Sequence, residues 1–386
     1  MAYWKIKYIP NIDKENPRVA YLNGQIVALS KIISQIPLAP DIAEELNALK
    51  IKREVLGTTG IEGNCISEEN IENMQLNLDE VVAKGAGKEQ QEIINSFKCF
   101  QYIIGTAKVQ YHGEITEELI KKLHQINTQN INYGKSRPGE YRTHNVKVGK
   151  NYECEKFEEI PQQMKNFVHF INSPEVLELS PAVRAILAHF YLVSIHPFGD
   201  GNGRTSRAVE AYVLACANEN TTGFYSLANF YYKNREEYFL QLDQARFKYK
   251  GDLNAFVLFA LNGLVTEIYS ISEEVISFSK KLAFDNYARE LYAKKKVSKR
   301  SMAILELIKM LNQCSIGNIL TPQNELISSL FGNVSERTIR RDIQKLLDHE
   351  LIERKGDILT PNYNVMNRFT PQNEVLANME KKMNNL

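Results

Sequence analysis

Ile195-His196-Pro197-Phe198-Gly199-Asp200-Gly201-Asn202-Gly203-Arg204-Thr205-Ser206-Arg207 joins two apolar, helix-patterned stretches. The first runs from Pro181 to Ile195, with proline well placed at a first helical turn. Its body, Ile186, Leu187, Phe190, Tyr191 and Val193, is strongly apolar. The second runs from Thr205 to Ala217. Between them Gly201, Asn202 and Gly203 tolerate left-handed dihedrals, so successive backbone N–H groups can turn inward as an anion-binding nest. The nest opens a helix whose free N–H groups and dipole also favour a phosphate. Arg204 and Arg207 are three apart and project to neighbouring sides of one helix face. Two guanidinium forks beside a nest describe a polyphosphate site. Asp200 is a hard oxygen ligand of the kind that Mg²⁺ bridging those phosphates needs. His196 is the one group here that takes a proton near neutral pH.

Around this loop the chain reads as mainly α. Ile42, Leu46, Leu49 and Val55 recur at near-helical spacing before Gly57-Thr58-Thr59-Gly60. A long helical region is expected over 67–111, loosened near Gly85-Ala86-Gly87, and further helices over 114–127, 161–171, 235–247 and 253–278. Residues 134–150 differ. Gly134, Pro138 and Gly139 punctuate them, and Val146 and Val148 alternate with Asn145 and Lys147, a short strand or hairpin signal.

His196 to Arg207 matches, at each fixed position, the signature His-x-Phe-x-(Asp/Glu)-Gly-Asn-Gly-Arg-x-x-Arg, and so resembles the Fic family. The resemblance covers residues 1–275. It implies a Fic-type helical core and transfer of a nucleotidyl group, usually AMP from ATP, to a protein hydroxyl. Position by position it implies His196 as general base and Asp200 as the Mg²⁺ ligand. Gly201, Asn202 and Gly203 become the phosphate cradle, Arg204 a phosphate clamp and Arg207 the γ-phosphate ligand. Phe198 is a core anchor, and the nucleotide-binding run includes Thr205 and Ser206. Val146-Lys147-Val148-Gly149 resembles the β-hairpin flap of such proteins, which would hold a target segment by strand addition. Tyr238 and Phe239 fall where relatives place aromatics near adenine, though their helical spacing suits core packing equally well. Arg246 stands where some relatives carry a nucleotide-contacting Asn. Thr58-Thr59-Gly60-Ile61-Glu62-Gly63 matches the inhibitory pattern (Ser/Thr)-x-x-x-Glu-(Gly/Asn). The resemblance implies that Glu62 pairs with Arg207, contests the ATP site and, in the other direction, can orient a water that removes AMP. Transfer of UMP or phosphocholine stays open, because the signature defines a pyrophosphate site better than a base. A homodimer is implied by relatives that pair through their Fic helices.

Near the C-terminal end, Met302, Leu305, Ile308 and Leu311 mark one amphipathic helix, and residues 322–331 a second. Ile339, Ile343, Leu346 and Leu347 mark a third, with Arg337, Arg340, Arg341 and Lys345 largely off the buried stripe. Ile352 and Ile358-Leu359 around Gly356-Asp357 suggest a small wing. The pattern resembles a winged helix-turn-helix of bacterial repressors and implies DNA contact or, alternatively, protein contact or dimerisation. Residues 335–355 hold six Lys/Arg against five Asp/Glu, a weak electrostatic footprint for groove binding. The alternative to an enzyme is therefore a DNA-binding regulator whose Fic core senses nucleotide.

The expected organisation is an N-terminal helical region over 1–105 with the inhibitory pattern and a catalytic core over 106–280. A basic connector (281–300), either a continued helix or a loose linker, the winged helix (301–365) and a polar tail (366–386) follow. Bulk properties set limits on partners. The 386 residues are 44% hydrophobic and 24% charged with a net charge of +1, which gives no whole-chain argument for nucleic acid or an anionic membrane. The five cysteines are scattered, odd in number and never spaced C-x-x-C, which argues against a disulfide framework and a zinc site. No uncharged apolar stretch approaches the roughly 18–20 residues of a membrane span. A cytoplasmic protein that does not engage membranes is expected.

Overall fold

The structure, a computed structural model, describes residues 2–77, 85–107, 113–149, 152–217, 226–320 and 334–370. They form two compact units, Met1–Val275 and Ile276–Leu386.

The first unit opens with strand β1 (Ala2–Tyr3) and helices α1 (Pro17–Gln35), α2 (Pro40–Ile61), α3 (Glu68–Leu76), α4 (Lys88–Ala107) and α5 (Glu117–Thr128). Strands β2 (Lys147–Val148) and β3 (Tyr152–Glu153) follow, then α6 (Ile160–Ile171), α7 (Pro174–Leu177), α8 (Pro181–Ile195) and α9 (Asn202–Cys216). Next come α10 (Ala228–Lys233), α11 (Arg235–Asp243) and a π-helical turn, Gln244–Lys248. Helix α12 (Asn254–Ala293) crosses the division at residue 275.

Helix α8 is the centre of the unit. Ser180 Oγ accepts the Val183 N–H at 3.2 Å, Pro181 starts the first turn, and Ala182 to Ile195 are all buried. A helix apolar on every side has to be enclosed, and α9 packs along it. Helix α2 packs on α4, α9 and α10. It approaches α10 closely because Gly57 has no side chain: a Cβ there would stand 2.5 Å from the Ala228 carbonyl carbon.

The expected hairpin is present and gains a third strand. In the order β1-β3-β2, β1 runs parallel to β3 and β2 antiparallel to it, with Lys147 opposite Glu153 and Val148 opposite Tyr152. Tyr152 Oη donates to the Ser194 carbonyl at 2.6 Å, which ties the sheet to the end of α8.

The helix expected over 67–111 is two helices, α3 and α4, and residues 78–84 and 108–112 lie outside those described. Position 105 does not separate two bodies. It falls inside α4, whose buried Ile93, Ile94 and Phe97 pack with Val55 of α2. Residues 281–300 are no loose linker, and of the two expected forms the continued helix is present as far as Ala293. Helix α12 continues to Ala293, and Phe284, Ala288 and Leu291 at helical spacing among the lysines are buried in the second unit's core. Within α12 one window is long and apolar enough to cross a membrane by length and composition, and half of it is buried. Its Glu267 accepts both bonds of Asn229 Nδ2 at 2.9 Å, so this stretch serves as core.

The second unit adds α13 (Lys299–Leu311), β4 (Cys314–Ser315), α14 (Ile316–Leu320), α15 (Glu336–Asp348), β5 (Ile352–Lys355) and β6 (Ile358–Pro361). A reciprocal Ser298–Ser301 cap starts α13. Helix α15 buries Ile339, Ile343 and Leu346, while Arg337, Arg340 and Arg341 are exposed. Its buried Asp342 accepts from Arg300 Nε and from Ser301 Oγ. The sheet order is β4-β6-β5. The helix expected over 322–331 and the tail beyond 370 lie outside the described residues.

Candidate active site

The loop between α8 and α9 is shaped by its own residues and by three helices beneath it. His196 ends α8 in a left-handed conformation, φ 53° and ψ 58°. Gly201, φ 73°, caps α9, a geometry that costs glycine nothing. The Asn202 side chain closes the turn. Its Oδ1 accepts the Phe198 N–H at 2.9 Å and its Nδ2 donates to the Phe198 carbonyl at 2.8 Å. The Phe198 ring is fully buried and stacks on the His124 imidazole, centroids 3.7 Å apart.

His124, on α5, reads the loop's backbone. Its Nδ1 accepts the Gly139 N–H at 2.9 Å, so its Nε2 carries the proton and donates to the Asp200 carbonyl at 3.0 Å. Burial holds this imidazole down to about 4, which keeps it neutral in that role.

The Asp200 side chain is exposed, and its Oδ1 accepts the Gly201 N–H at 2.6 Å. The first-turn N–H groups of α9, on Asn202, Gly203 and Arg204, have no partner within the helix. No group of three His, Cys, Asp or Glu side chains able to hold a metal occurs among the described residues. One exposed carboxylate beside a helix start with free N–H groups nevertheless suits Mg²⁺, which takes one or two protein carboxylates and completes its shell with water and substrate phosphate.

The two arginines are fully buried and held differently. Arg204 donates to Tyr133 Oη at 2.6 Å and to the Asn127 carbonyl at 3.4 Å, with Glu92 Oε1 at 3.7 Å. Arg207 donates through Nε to Thr58 Oγ1 at 3.0 Å and through Nη2 to the Thr58 carbonyl at 2.9 Å. The same Nη2 donates to Glu62 Oε1 at 2.6 Å. The pair is thus a single bond rather than a bidentate fork, because Thr58 occupies the guanidinium's other edge. Burial pushes the Glu62 carboxyl up, but the Arg207 charge and hydrogen bond, with Arg204 and His196 adding, leave it below its ordinary range. Glu62 sits just past the end of α2, and Gly63, φ 93°, turns the chain away.

His196 is half-buried. Its Nδ1 faces the Val193 carbonyl at 3.3 Å, and a carbonyl only accepts, so Nδ1 holds the proton and Nε2 the lone pair. Burial lowers this imidazole to about 4, and the charges of Arg142 and Arg246 act in the same direction.

Several expected contacts differ. Thr205 and Ser206 are fully buried, and their hydroxyls donate to the Gly201 and Asn202 carbonyls, so neither side chain faces the cradle. Tyr238 is core. Its hydroxyl meets His189 Nε2 at 2.9 Å and its ring stacks on Tyr231 at 4.5 Å, which leaves no face for adenine. Phe239 alone of the two is exposed, under the Arg235 guanidinium at 5.3 Å. Arg246 is buried on Ser194 Oγ and over the Tyr152 ring. In the flap Lys147 and Gly149 are exposed and Val146 and Val148 half-buried. Arg142, His124 and Tyr133, which support the loop, escaped the sequence reading because their role comes from long-range contacts and no local pattern marks it.

With this geometry in view, the comparisons with known proteins agree. Residues 114–214 match the Fic/DOC family. A protein named Protein adenylyltransferase fic-1 from Caenorhabditis elegans is 29% identical over 259 residues, 64% of this chain and 48% of that protein. Protein adenylyltransferase Fic from Drosophila virilis is 30% identical over 207 residues, 54% of this chain and 40% of that protein. The chain thus spans about half the length or less of these relatives. Among solved structures, a Fic family protein from Desulfovibrio desulfuricans G20 aligns at TM-score 0.54 and 17% identity over 90% of this chain and 96% of that one. A fragment of C. elegans Fic-1 aligns at TM-score 0.54 and 23% identity over 69% of this chain and 75% of that one. At these identities the structures speak for the fold.

Proposed function

We propose that this chain, which carries a Fic/DOC-family domain at residues 114–214, transfers AMP from ATP to a Ser, Thr or Tyr hydroxyl of a target protein or of itself. The observation that carries this is the His196 imidazole. Its proton is committed to Val193 and its Nε2 lone pair is free to take a hydroxyl proton, at the mouth of a nest closed by two arginines. In the proposed reaction His196 Nε2 takes the proton of the attacking hydroxyl. The oxygen bonds to the α-phosphorus, and the bond to the bridging oxygen breaks to release pyrophosphate. Arg204, Arg207 and the first-turn N–H groups of α9 neutralise phosphate charge and fix its position, the main protein contributions in such transfers. Asp200 would hold Mg²⁺, which when bound supplies charge neutralisation between the phosphates. The β2 edge of the flap would receive an extended target segment by backbone pairing.

We read Glu62 as a brake. Its carboxylate takes one Arg207 donor and places like charge where a γ-phosphate would lie. Turned toward a water instead, it would serve removal of AMP. We read the second unit as a winged helix, with α15 presenting Arg337 and Arg341 to nucleic acid or protein while Arg340 is paired with Glu336. The five thiols, all unpaired, support a cytoplasmic location. The test is incorporation of label from α-labelled ATP with Mg²⁺ in wild type, Glu62→Gly, and Glu62→Gly with His196→Ala. Weak, strong and absent label, in that order, is expected. ATP binding without label in Glu62→Gly, with cell lysate as acceptor, would overturn the transferase reading and turn attention to a DNA-binding regulator.

A further inference from the structure

Arg142 belongs to no pattern that the loop or the flap required. It lies four residues before the flap and is 4% exposed. Its backbone N–H donates to the Pro197 carbonyl at 2.9 Å, and its Nε to the His196 carbonyl at 2.9 Å. Its Nη1 donates to the His144 carbonyl at 3.0 Å and its Nη2 to the Glu155 carbonyl at 2.5 Å. His144 precedes β2 and Glu155 follows β3, so one rigid fork grips both stems of the flap and the turn that carries His196. The left-handed turn at His196 is a conformation a residue with a side chain holds only when its surroundings enforce it. Arg142 supplies that enforcement at the two carbonyls on either side of the His196–Pro197 bond.

We infer that Arg142 is the positioning residue of this site, locking the His196 turn to the flap so that base and target-holding strand are placed as one piece. The inference rests on the reading of His196 as base. Three charged groups act on the His196 imidazole: Arg142 from the flap stem, Arg246 from the turn after α11, and Glu62 from the end of α2. Burial is the larger cause of the low His196 value, so a general loss of packing raises it too, and the Arg142 charge is read from the difference between a charge-keeping and a charge-removing substitution. Arginine and lysine also separate charge from geometry, since lysine keeps the charge and loses the planar fork.

The test places Arg142→Lys, Arg142→Met and Arg142→Ala in the 386-residue Glu62→Gly protein. AMP transfer is expected to fall about a hundredfold in each, the scale of a misplaced catalytic group, while the Kd for ATP stays within about twofold. By NMR the His196 titration should stand higher in Arg142→Met than in Arg142→Lys, while burial keeps both below the ordinary histidine value of about 6.5. Added guanidinium ion should restore part of the transfer to Arg142→Ala and none to Arg142→Met, whose side chain fills the space. Full activity in Arg142→Lys and Arg142→Met would overturn the proposal. So would equal losses of ATP affinity and turnover with the same His196 titration in Arg142→Met and Arg142→Lys. The titration needs no turnover, so it decides the Arg142–His196 link even if Glu62→Gly transfers nothing and the transferase reading itself fails.

Discussion

Glu62 occupies the ground that a side chain at position 203 would need: a Cβ on Gly203 would stand 2.1 Å from Glu62 Oε1 and 3.1 Å from Arg207 Nη1. The carboxylate therefore lies in the proposed phosphate cradle, above the first turn of α9, as well as against Arg207. Glycine at 203 leaves room for either a carboxylate or a phosphate. Gly203→Ala should expel the Glu62 carboxylate at small cost, since that group is the free end of a flexible side chain. It should also weaken ATP binding roughly five- to 150-fold, because the methyl fills the cradle at a cost on the order of 1–3 kcal/mol. Calorimetry on Gly203→Ala, with and without Glu62→Gly, checks this. If the single variant binds ATP as tightly as Glu62→Gly does, the cradle does not lie over residue 203.

The proposed brake at Glu62 should be insensitive to pH in the neutral range. Glu62, whose side chain is 38% exposed, is held below its ordinary range by Arg207 first and then Arg204 and His196. A carboxylate with a depressed folded value contributes stability above its unfolded value, about 4.3, and loses it as pH falls through the folded one. Neither event occurs near neutrality. Transfer in Glu62→Gly should exceed wild type by roughly ten- to a hundredfold, the range of an ordinary coupling energy. The ratio should be the same at about pH 6.5 and about pH 8. A ratio that changes with pH would mean that another group controls access to Arg207.

The loop was legible in the sequence because its chemistry is contiguous: Gly201, Asn202, Arg204 and Arg207 lie within two helical turns, and spacing alone puts the arginines on one face. The Thr58–Glu62 string was legible for the same reason, and its meeting with Arg207 at 2.6 Å follows from α2 packing on α9. Tyr238 shows the limit. An aromatic at helical spacing fits core and ligand site alike, and only the His189 and Tyr231 contacts decide for core. Thr205 and Ser206 were misplaced because a signature marks a segment, whereas helix periodicity turns these two side chains inward. His124 and Arg142 act through backbone carbonyls far away in the chain, and nothing local announces such partners. The lysines of 281–300 hid the stripe Phe284, Ala288 and Leu291 that keeps α12 helical.

Glu54, two turns before Glu62 on α2, should make stability fall with rising pH. It is buried, its Oε2 has no hydrogen-bond partner, and burial pushes its carboxyl up to about 8. Arg204 Nε is likewise without a partner, and both residues line one small void. A carboxyl with a raised folded value keeps its proton in the native state while the unfolded chain releases it above about 4.3. Stability therefore declines from there up to the folded value and is level beyond it. Glu54→Gln removes that decline. It should match wild type near about pH 4 and exceed it by roughly 4–5 kcal/mol at about pH 8. Thermal melts across that range check this, and parallel curves for the two proteins would show that Glu54 is ionised in the native fold.

Gly57 sets how α2, and so Glu62, lies against the cradle. A Cβ there would meet the Ala228 carbonyl carbon and the Asn229 nitrogen at 2.5 Å, and these are backbone atoms with no rotamer to yield. Helix α10 cannot slide away freely, because Asn229 Nδ2 is bonded to both carboxylate oxygens of the buried Glu267. In Gly57→Ala, overpacking should cost on the order of 1–3 kcal/mol, against about 1 kcal/mol that alanine gains over glycine inside a helix. The expected result is a lower Tm together with higher basal transfer, since α2 must shift off α10 and carry Glu62 with it. Gly24→Ala on α1 is the control: nothing lies within 4 Å of its added Cβ, so only the helix gain remains and Tm should rise. A Gly57→Ala protein as stable and as quiet as wild type would show that Glu62 is held by Arg207 alone, independently of how its helix packs.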